Sequence, residues 1–160
     1  MTEDSVVAMK IVILEDNLDR QAAMRPVLAD RFYMYEVRFF DNAPETIAFL
    51  DGHLADTLVV SLDNDLELKP GPDGSTLDPG EGRQVAEFLA EHPPACPVVI
   101  HTTNSAAAAA MQESLGGAGW KTRRVDPFDD MAWIASDWFP VVRRAIVGPI
   151  RRDRVPDSRP

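Results

Sequence analysis

Two rhythms alternate along the chain. Short, dense apolar runs of strand length are each followed by a stretch in which apolar residues return every three or four positions. The dense runs are residues 10–14, 57–62 and 97–100; residues 35–40 and 120–125, which also carry charged residues, are the other two strands. The first helical stretch, residues 18–30, has Leu18, Ala22, Ala23, Val27 and Leu28 in phase. Pro26 is expected to kink it or to end its regular part early. Residues 43–50 form the second, capped by Asp41 or Asn42 and closed by Asp51 and Gly52. Residues 82–91 form the third, with Val85, Ala86, Phe88 and Leu89 inward. An Ala-rich helix begins at Asn104 or Ser105, runs to Leu115 and is ended by Gly116 and Gly117. The last begins at Asp129 or Asp130 and carries Met131, Trp133, Ile134, Trp138 and Phe139; Pro140 falls within or just after it, and residues 141–147 continue as a second helical piece.

Strand and helix thus alternate five times. Strands that are almost continuously Val, Ile and Leu suit a parallel sheet covered on both faces, and right-handed crossovers turn such a sheet into a doubly wound three-layer α/β sandwich. The flavodoxin-like strand order 2-1-3-4-5 makes strands 1 and 3 neighbours at the switch point, where ligands bind beyond the carboxyl ends. One domain is expected over residues 9–147, between a flexible leader (1–8) and a flexible Pro- and Arg-rich tail (148–160). Residues 64–82, rich in Gly, Pro and Asp, show no periodicity; a loop that long in a compact domain is functional or mobile.

Composition narrows the function. At 160 residues, 45% hydrophobic and 26% charged, the chain supports one globular core. No apolar stretch reaches the length of a membrane span and no signal segment is expected at the start, so no membrane role is expected. A single cysteine, Cys96, excludes an internal disulfide and a thiolate metal cluster, and makes a reducing cytoplasm the expected compartment. Cys96 precedes Pro97 at the start of a strand and reads as a core-edge residue, not a nucleophile. Net charge is −10, but residues 143–160 hold six arginines against Asp153 and Asp157, a local +4, which leaves −14 on the rest. That acidic body argues against broad binding of a nucleic-acid backbone.

The chemistry lies at two strand ends. Residues 13–17 (Ile-Leu-Glu-Asp-Asn) and 60–66 (Val-Ser-Leu-Asp-Asn-Asp-Leu) each close an apolar run with carboxylates. Like charges held together repel, and desolvation makes each costlier. With strands 1 and 3 adjacent, Glu15, Asp16, Asp63 and Asp65 share one place, and a hard divalent cation, Mg²⁺ or Mn²⁺, offsets their repulsion.

Five βα units, a paired acid after strand 1 and an Asp ending strand 3 resemble the receiver domain of two-component response regulators. The resemblance implies that Glu15 and Asp16 hold Mg²⁺ and that Asp63 is the phosphoacceptor position. It also assigns the strand-4 hydroxyl to Thr102 or Thr103, and Gly82 starts the third helix as a receiver glycine does. The departure follows strand 5: where receivers carry Lys before Pro-Phe, this chain has Asp126-Pro127-Phe128, whose sign repels a phosphate. Lys121, Arg123 or Arg124 is left to supply charge. The Leu-Asp-x-Asp-Leu motif at 62–66 and the His-x-x-Asn motif at His101 and Asn104 resemble the receiver-like family described as cyclic-phosphate-processing.

That resemblance implies metal-dependent opening of cyclic or terminal phosphates, on a phosphate-containing small molecule or a nucleic-acid end. His101, at the carboxyl end of strand 4, faces the crevice of the acids as an acid/base or as a hydrogen-bonded core-rim residue. His53 and His92 read as surface residues. Asn104 donates to a phosphoryl oxygen or caps a helix. Two other readings stand beside the enzyme: a phosphoacceptor receiver using Asp63, and a pseudo-receiver that binds a protein partner. The C-terminal aromatics, Trp120, Trp133, Trp138 and Phe139, read as core, or in part as a homodimer surface on the last helix.

Overall fold

The structure, a computed structural model, describes residues 7–128 and 130–154, the last five by backbone alone. The rest of the expected leader (1–6), Asp129 and residues 155–160 lie outside the described residues.

Five parallel strands form the sheet: β1 (Lys10–Leu14), β2 (Glu36–Phe40), β3 (Thr57–Leu62), β6 (Val98–His101) and β7 (Thr122–Val125). Their order is β2-β1-β3-β6-β7, which is the expected 2-1-3-4-5 once the short strands β4 (Lys69–Pro70) and β5 (Thr76–Leu77) are counted separately. Side-chain alternation builds two cores. Val12, Leu14, Val60, Leu62, Val98 and Ile100 face one layer, formed by α2 (Ala43–His53), α3 (Gly82–Ala90) and α4 (Ser105–Gly117). Ile11, Ile13, Val59, Val99 and Val125 face the other, formed by α1 (Leu18–Phe32) and α5 (Phe139–Arg154). Trp120 belongs to the first core and Trp133 and Trp138 to the second, all buried, with Phe139 partly buried against the second.

Local departures from the sequence expectations have physical causes. Helix α1 runs through Pro26 to Phe32, because Pro26 is exposed and buried Met24, Leu28 and Phe32, one turn apart, hold the helix on both sides of the lost N–H bond. Helix α2 passes Gly52 and ends at His53, followed by a single 3₁₀ turn, Leu54–Asp56. A π-helical turn, Ile134–Trp138, runs directly into α5, and Pro140, which has no N–H to donate, is the second residue after that turn. α5 then continues through Pro149 to Arg154, across residues 148–154 of the expected tail. The long loop carries the β4–β5 hairpin and is tied down: Lys69 Nζ bonds the Asp41 carboxylate, and the Ala43 N–H donates to Pro79 O at 2.7 Å.

Candidate active site

Strand register explains the site. Leu14 pairs with Leu62, and Leu62 with Ile100. One residue further along, Glu15, Asp63 and His101 form a row across β1, β3 and β6, each two positions past a side chain of the α1/α5 core or its level (Ile13, Ser61, Val99). All three are buried: Glu15 and His101 are 0% exposed and Asp63 6%. Ligand oxygens of Glu15, Asp16 and Asp63 lie within 4.8 Å of one another.

The structure does not bring Asp65 into that group. β3 ends at Leu62 and the chain turns at Asn64, so the alternation that would align Asp65 with Asp63 is broken. Asp65 is instead exposed, bridges to Glu81, and its Oδ1 accepts from Asn64 Nδ2 at 3.1 Å and Asn104 Nδ2 at 3.3 Å. Asn104 also caps α4, its Oδ1 accepting from the Ala107 N–H at 3.0 Å, so cap and crevice contact coexist in one side chain. Thr102 is buried, with Oγ1 accepting from the Asn104 N–H at 3.2 Å, and Thr103 is exposed at the rim.

His101 lies beneath the carboxylates. Its Nδ1 is 2.7 Å from Ser61 Oγ, and Trp138 Nε1–H donates to that same Oγ at 2.9 Å. Indole N–H can only donate, so Ser61 Oγ accepts from Trp138, and the direction of its bond with Nδ1 is set by the His101 tautomer. Nε2 is buried and 3.2 Å from Glu15 Oε1, but the approach is not aligned for a hydrogen bond, and Nε2 has no other partner.

Arg20 is the functional candidate that the sequence reading passes over. Asn17 caps α1 and accepts from the Arg20 N–H at 3.0 Å, setting the first turn over the acids. Arg20 Nη1 stands 3.4 Å from Glu15 Oε1 and 3.6 Å from Asp63 Oδ2, and its guanidinium stacks over Trp133, 5.3 Å from the ring centroid. Among the described residues it is the cation paired with the buried acids. Asp126, at the receiver lysine position, points outward, 72% exposed, and pairs with Arg124 Nε at 2.9 Å. Arg124 also donates to Ser105 Oγ at 3.0 Å, on the first residue of α4. Lys121 and Arg123 line a separate cleft against α5.

The charges balance unequally. Burial pushes the Asp63 carboxyl up to about 6, with the Glu15 charge adding to it and His101, Arg20 and the Asn64 N–H opposing. Burial also raises Glu15, but His101, the Asn17 N–H and Arg20 outweigh it and hold that carboxyl below the ordinary range. Burial drives the Cys96 thiol up to about 12, which fits a core-edge role. Two further contacts fix the rim. The Glu67 N–H donates to Asp16 Oδ2 at 2.6 Å, which docks the start of the long loop over the acids. Gly82 opens α3 directly against the Asp63 carbonyl, where a Cβ would collide with the oxygen.

The five-stranded parallel sheet with its flanking helices is similar in fold to solved receiver structures. The response regulator receiver domain from Rhodospirillum rubrum is 17% identical, with 89% of this chain and 94% of that chain covered at a TM-score of 0.60. The phosphorylated cyanobacterial phytochrome response regulator RcpA is 17% identical, with 89% and 96% covered at 0.64. The Mn²⁺-bound form of response regulator Rcp1 is 19% identical, with 92% and 97% covered at 0.57. The fold is therefore the receiver fold. Within it, residues 10–117 match the cyclic-phosphate processing receiver domain, and the chain belongs to that family. No curated relative matches the sequence. Among the described residues, no helix is long and apolar enough to cross a membrane.

Proposed function

We propose that this domain hydrolyses a cyclic or terminal phosphoester with a divalent cation, Mg²⁺ or Mn²⁺, held by Glu15, Asp16 and Asp63. The observation that carries this reading is the convergence of those three carboxylates, two of them buried, within 4.8 Å. Hard oxygen donors of this kind suit either ion. When bound, the cation supplies Lewis-acid polarisation of a phosphoryl oxygen. Arg20, Asn104 Nδ2 and the N–H groups at the start of α4 offer donors to the other phosphoryl oxygens. Asp65, exposed and tied to Asn104, is the carboxylate left to take the proton of the attacking water as the new P–O bond forms, and to return that proton to the leaving oxygen as the scissile P–O bond breaks. His101, an acid/base candidate by sequence, is assigned here to holding Glu15, because its Nε2 is buried against that carboxylate rather than open to a substrate.

The test is a hydrolysis assay on a 2′,3′-cyclic nucleotide with Mg²⁺ or Mn²⁺. Metal-dependent turnover that Asp63→Asn abolishes supports the reading, and a chain inert with both metals overturns it. A second reading rests on Asp63 itself. Its place at the end of β3 with Arg20 beside it also suits phosphoryl transfer to that carboxylate and signalling through a protein partner or a second copy on the last helix. A labile phosphate on Asp63 after incubation with acetyl phosphate, read by intact mass, would favour it.

A further inference from the structure

We propose that the cleft between the edge strand β7 and helix α5 binds a small phosphate-bearing anion with a flat apolar part, a ligand of the nucleoside phosphate class, separate from the acidic crevice. The site has about 710 Å³ of space. It is bounded by Pro94, Pro97, Gly119 and Lys121, at the amino-terminal ends of β6 and β7, whereas the carboxylates stand at the carboxyl ends.

The parity of β7 is the first argument. Val125 faces the α1/α5 core, so Lys121 and Arg123, at even spacing from it, face the same side. In the central strands that face holds Ile and Val, with Ser61 and His101 toward its carboxyl end; at the start of β7 it holds two cations. Helix α5 packs over β3 and α1 and buries Val125 at the carboxyl end of β7, but leaves Lys121 and Arg123 exposed, while its own flank turns Arg143 and Arg144 toward the gap. Four exposed cations therefore line one concavity.

Their surroundings give the second argument. Among the described residues no lining residue is acidic, although the chain carries 26 Asp and Glu and a net charge of −10. The ion pairs among the described residues engage other cations. Like charges gathered without counter-charges leave a local positive potential that an anion relieves. The volume fits a ligand pocket, which typically spans roughly 300–1,000 Å³, and exceeds what a bare phosphate fills. Val141 and Val147, with Pro97, add half-buried apolar walls for a ring. The acidic remainder of the surface repels a long polyanion, so the occupant is compact.

The full chain titrated with mant-ADP, followed by fluorescence anisotropy, tests this. Saturable binding is expected, weakened roughly tenfold for each guanidinium removed in Arg123→Gln and Arg143→Gln. Arg38→Gln, an exposed control, leaves it unchanged, as do Asp63→Asn and EDTA. All three arginines are exposed, so the variants keep the fold, checked by far-UV circular dichroism. Absence of saturable binding overturns the proposal. So does binding indifferent to Arg123 and Arg143, binding lost in Asp63→Asn or EDTA, or displacement by polyglutamate as effective as by ADP.

Discussion

Ser61 and His101 meet across β3 and β6 with Oγ and Nδ1 2.7 Å apart, and the same hydroxyl accepts the indole N–H of Trp138 at 2.9 Å. A single serine in a strand of valines thus fixes a histidine whose other nitrogen faces Glu15. Ser61→Ala leaves the indole N–H and Nδ1 buried without partners. It is expected to lower stability by about 1–3 kcal/mol, read as a fall in melting temperature, and to weaken Mg²⁺ binding as Glu15 loses its fixed neighbour. Unchanged metal affinity in the folded variant would show that His101 does not position Glu15.

Arg20 and a metal ion compete for the same carboxylates, because Nη1 already sits 3.4 Å from Glu15 and 3.6 Å from Asp63. Arg20→Gln is expected to bind Mg²⁺ more tightly in calorimetry while losing turnover, by about 10²–10³ if the guanidinium stabilises developing charge on the phosphoryl group. The opposing directions distinguish a phosphate donor from a merely structural arginine, whose loss would weaken both.

What the sequence made legible follows from periodicity and from charge at strand ends. The central strands β1, β3 and β6 are almost continuously apolar and two of them end in carboxylates, so the sheet could be read directly. The flavodoxin-like strand order then brings Glu15, Asp16 and Asp63 together. Arg20 was not legible: one arginine in a first helical turn looks like a surface residue, and its stacking partner Trp133 lies on a distant segment. Ser61 was hidden for the same reason, since its partners come from β6 and from the π-helical turn. The adjacency of strands 1 and 3 alone groups Asp65 with the other acids, whereas β3 ends at Leu62 and the bend at Asn64 sets Asp65 toward Asn104. Asn104 was read as either cap or donor, and the structure makes it both, since its two side-chain atoms serve different partners.

Asp63 carries a pH dependence whose sign is fixed by its environment. Its carboxyl titrates near 6 in the folded chain, above the ordinary 3.8, so the fold favours the protonated form. Ionising it above that pH costs the metal-free protein stability, and the cost is relieved as pH falls through about 6 toward the ordinary range. Metal binding needs the ionised form, so Mg²⁺ affinity is expected to fall by up to about tenfold per pH unit below that point. Asp63→Asn removes the buried charge and keeps the acceptor for the Asn64 N–H. The variant is expected to be more stable than the parent without metal, by about 1–3 kcal/mol at neutral pH, and to lose the metal response. A parent melting temperature that rises from pH 5 to pH 8 without metal would contradict the assignment.

Gly82 sets how closely α3 approaches the site. Its N–H donates to Asn64 O at 3.1 Å, and a Cβ at this position would strike the Asp63 carbonyl oxygen, with the Asp63 carbonyl carbon and the Asn64 Cα just behind it. All three atoms are backbone, so no side-chain rotation relieves the clash. Gly82→Ala therefore has to push α3 away from the end of β3 or shift the Asp63–Asn64 peptide, at a cost of about 1–3 kcal/mol or more for overpacking. Either movement disturbs the carboxylate that titrates near 6 and the Asn64 side chain that accepts from the Arg83 N–H. The variant is expected to melt lower and to bind Mg²⁺ more weakly, although it alters no ligand atom. If Gly82→Ala melts lower but keeps the parent's metal affinity, α3 has yielded without moving Asp63, and the close approach serves packing alone.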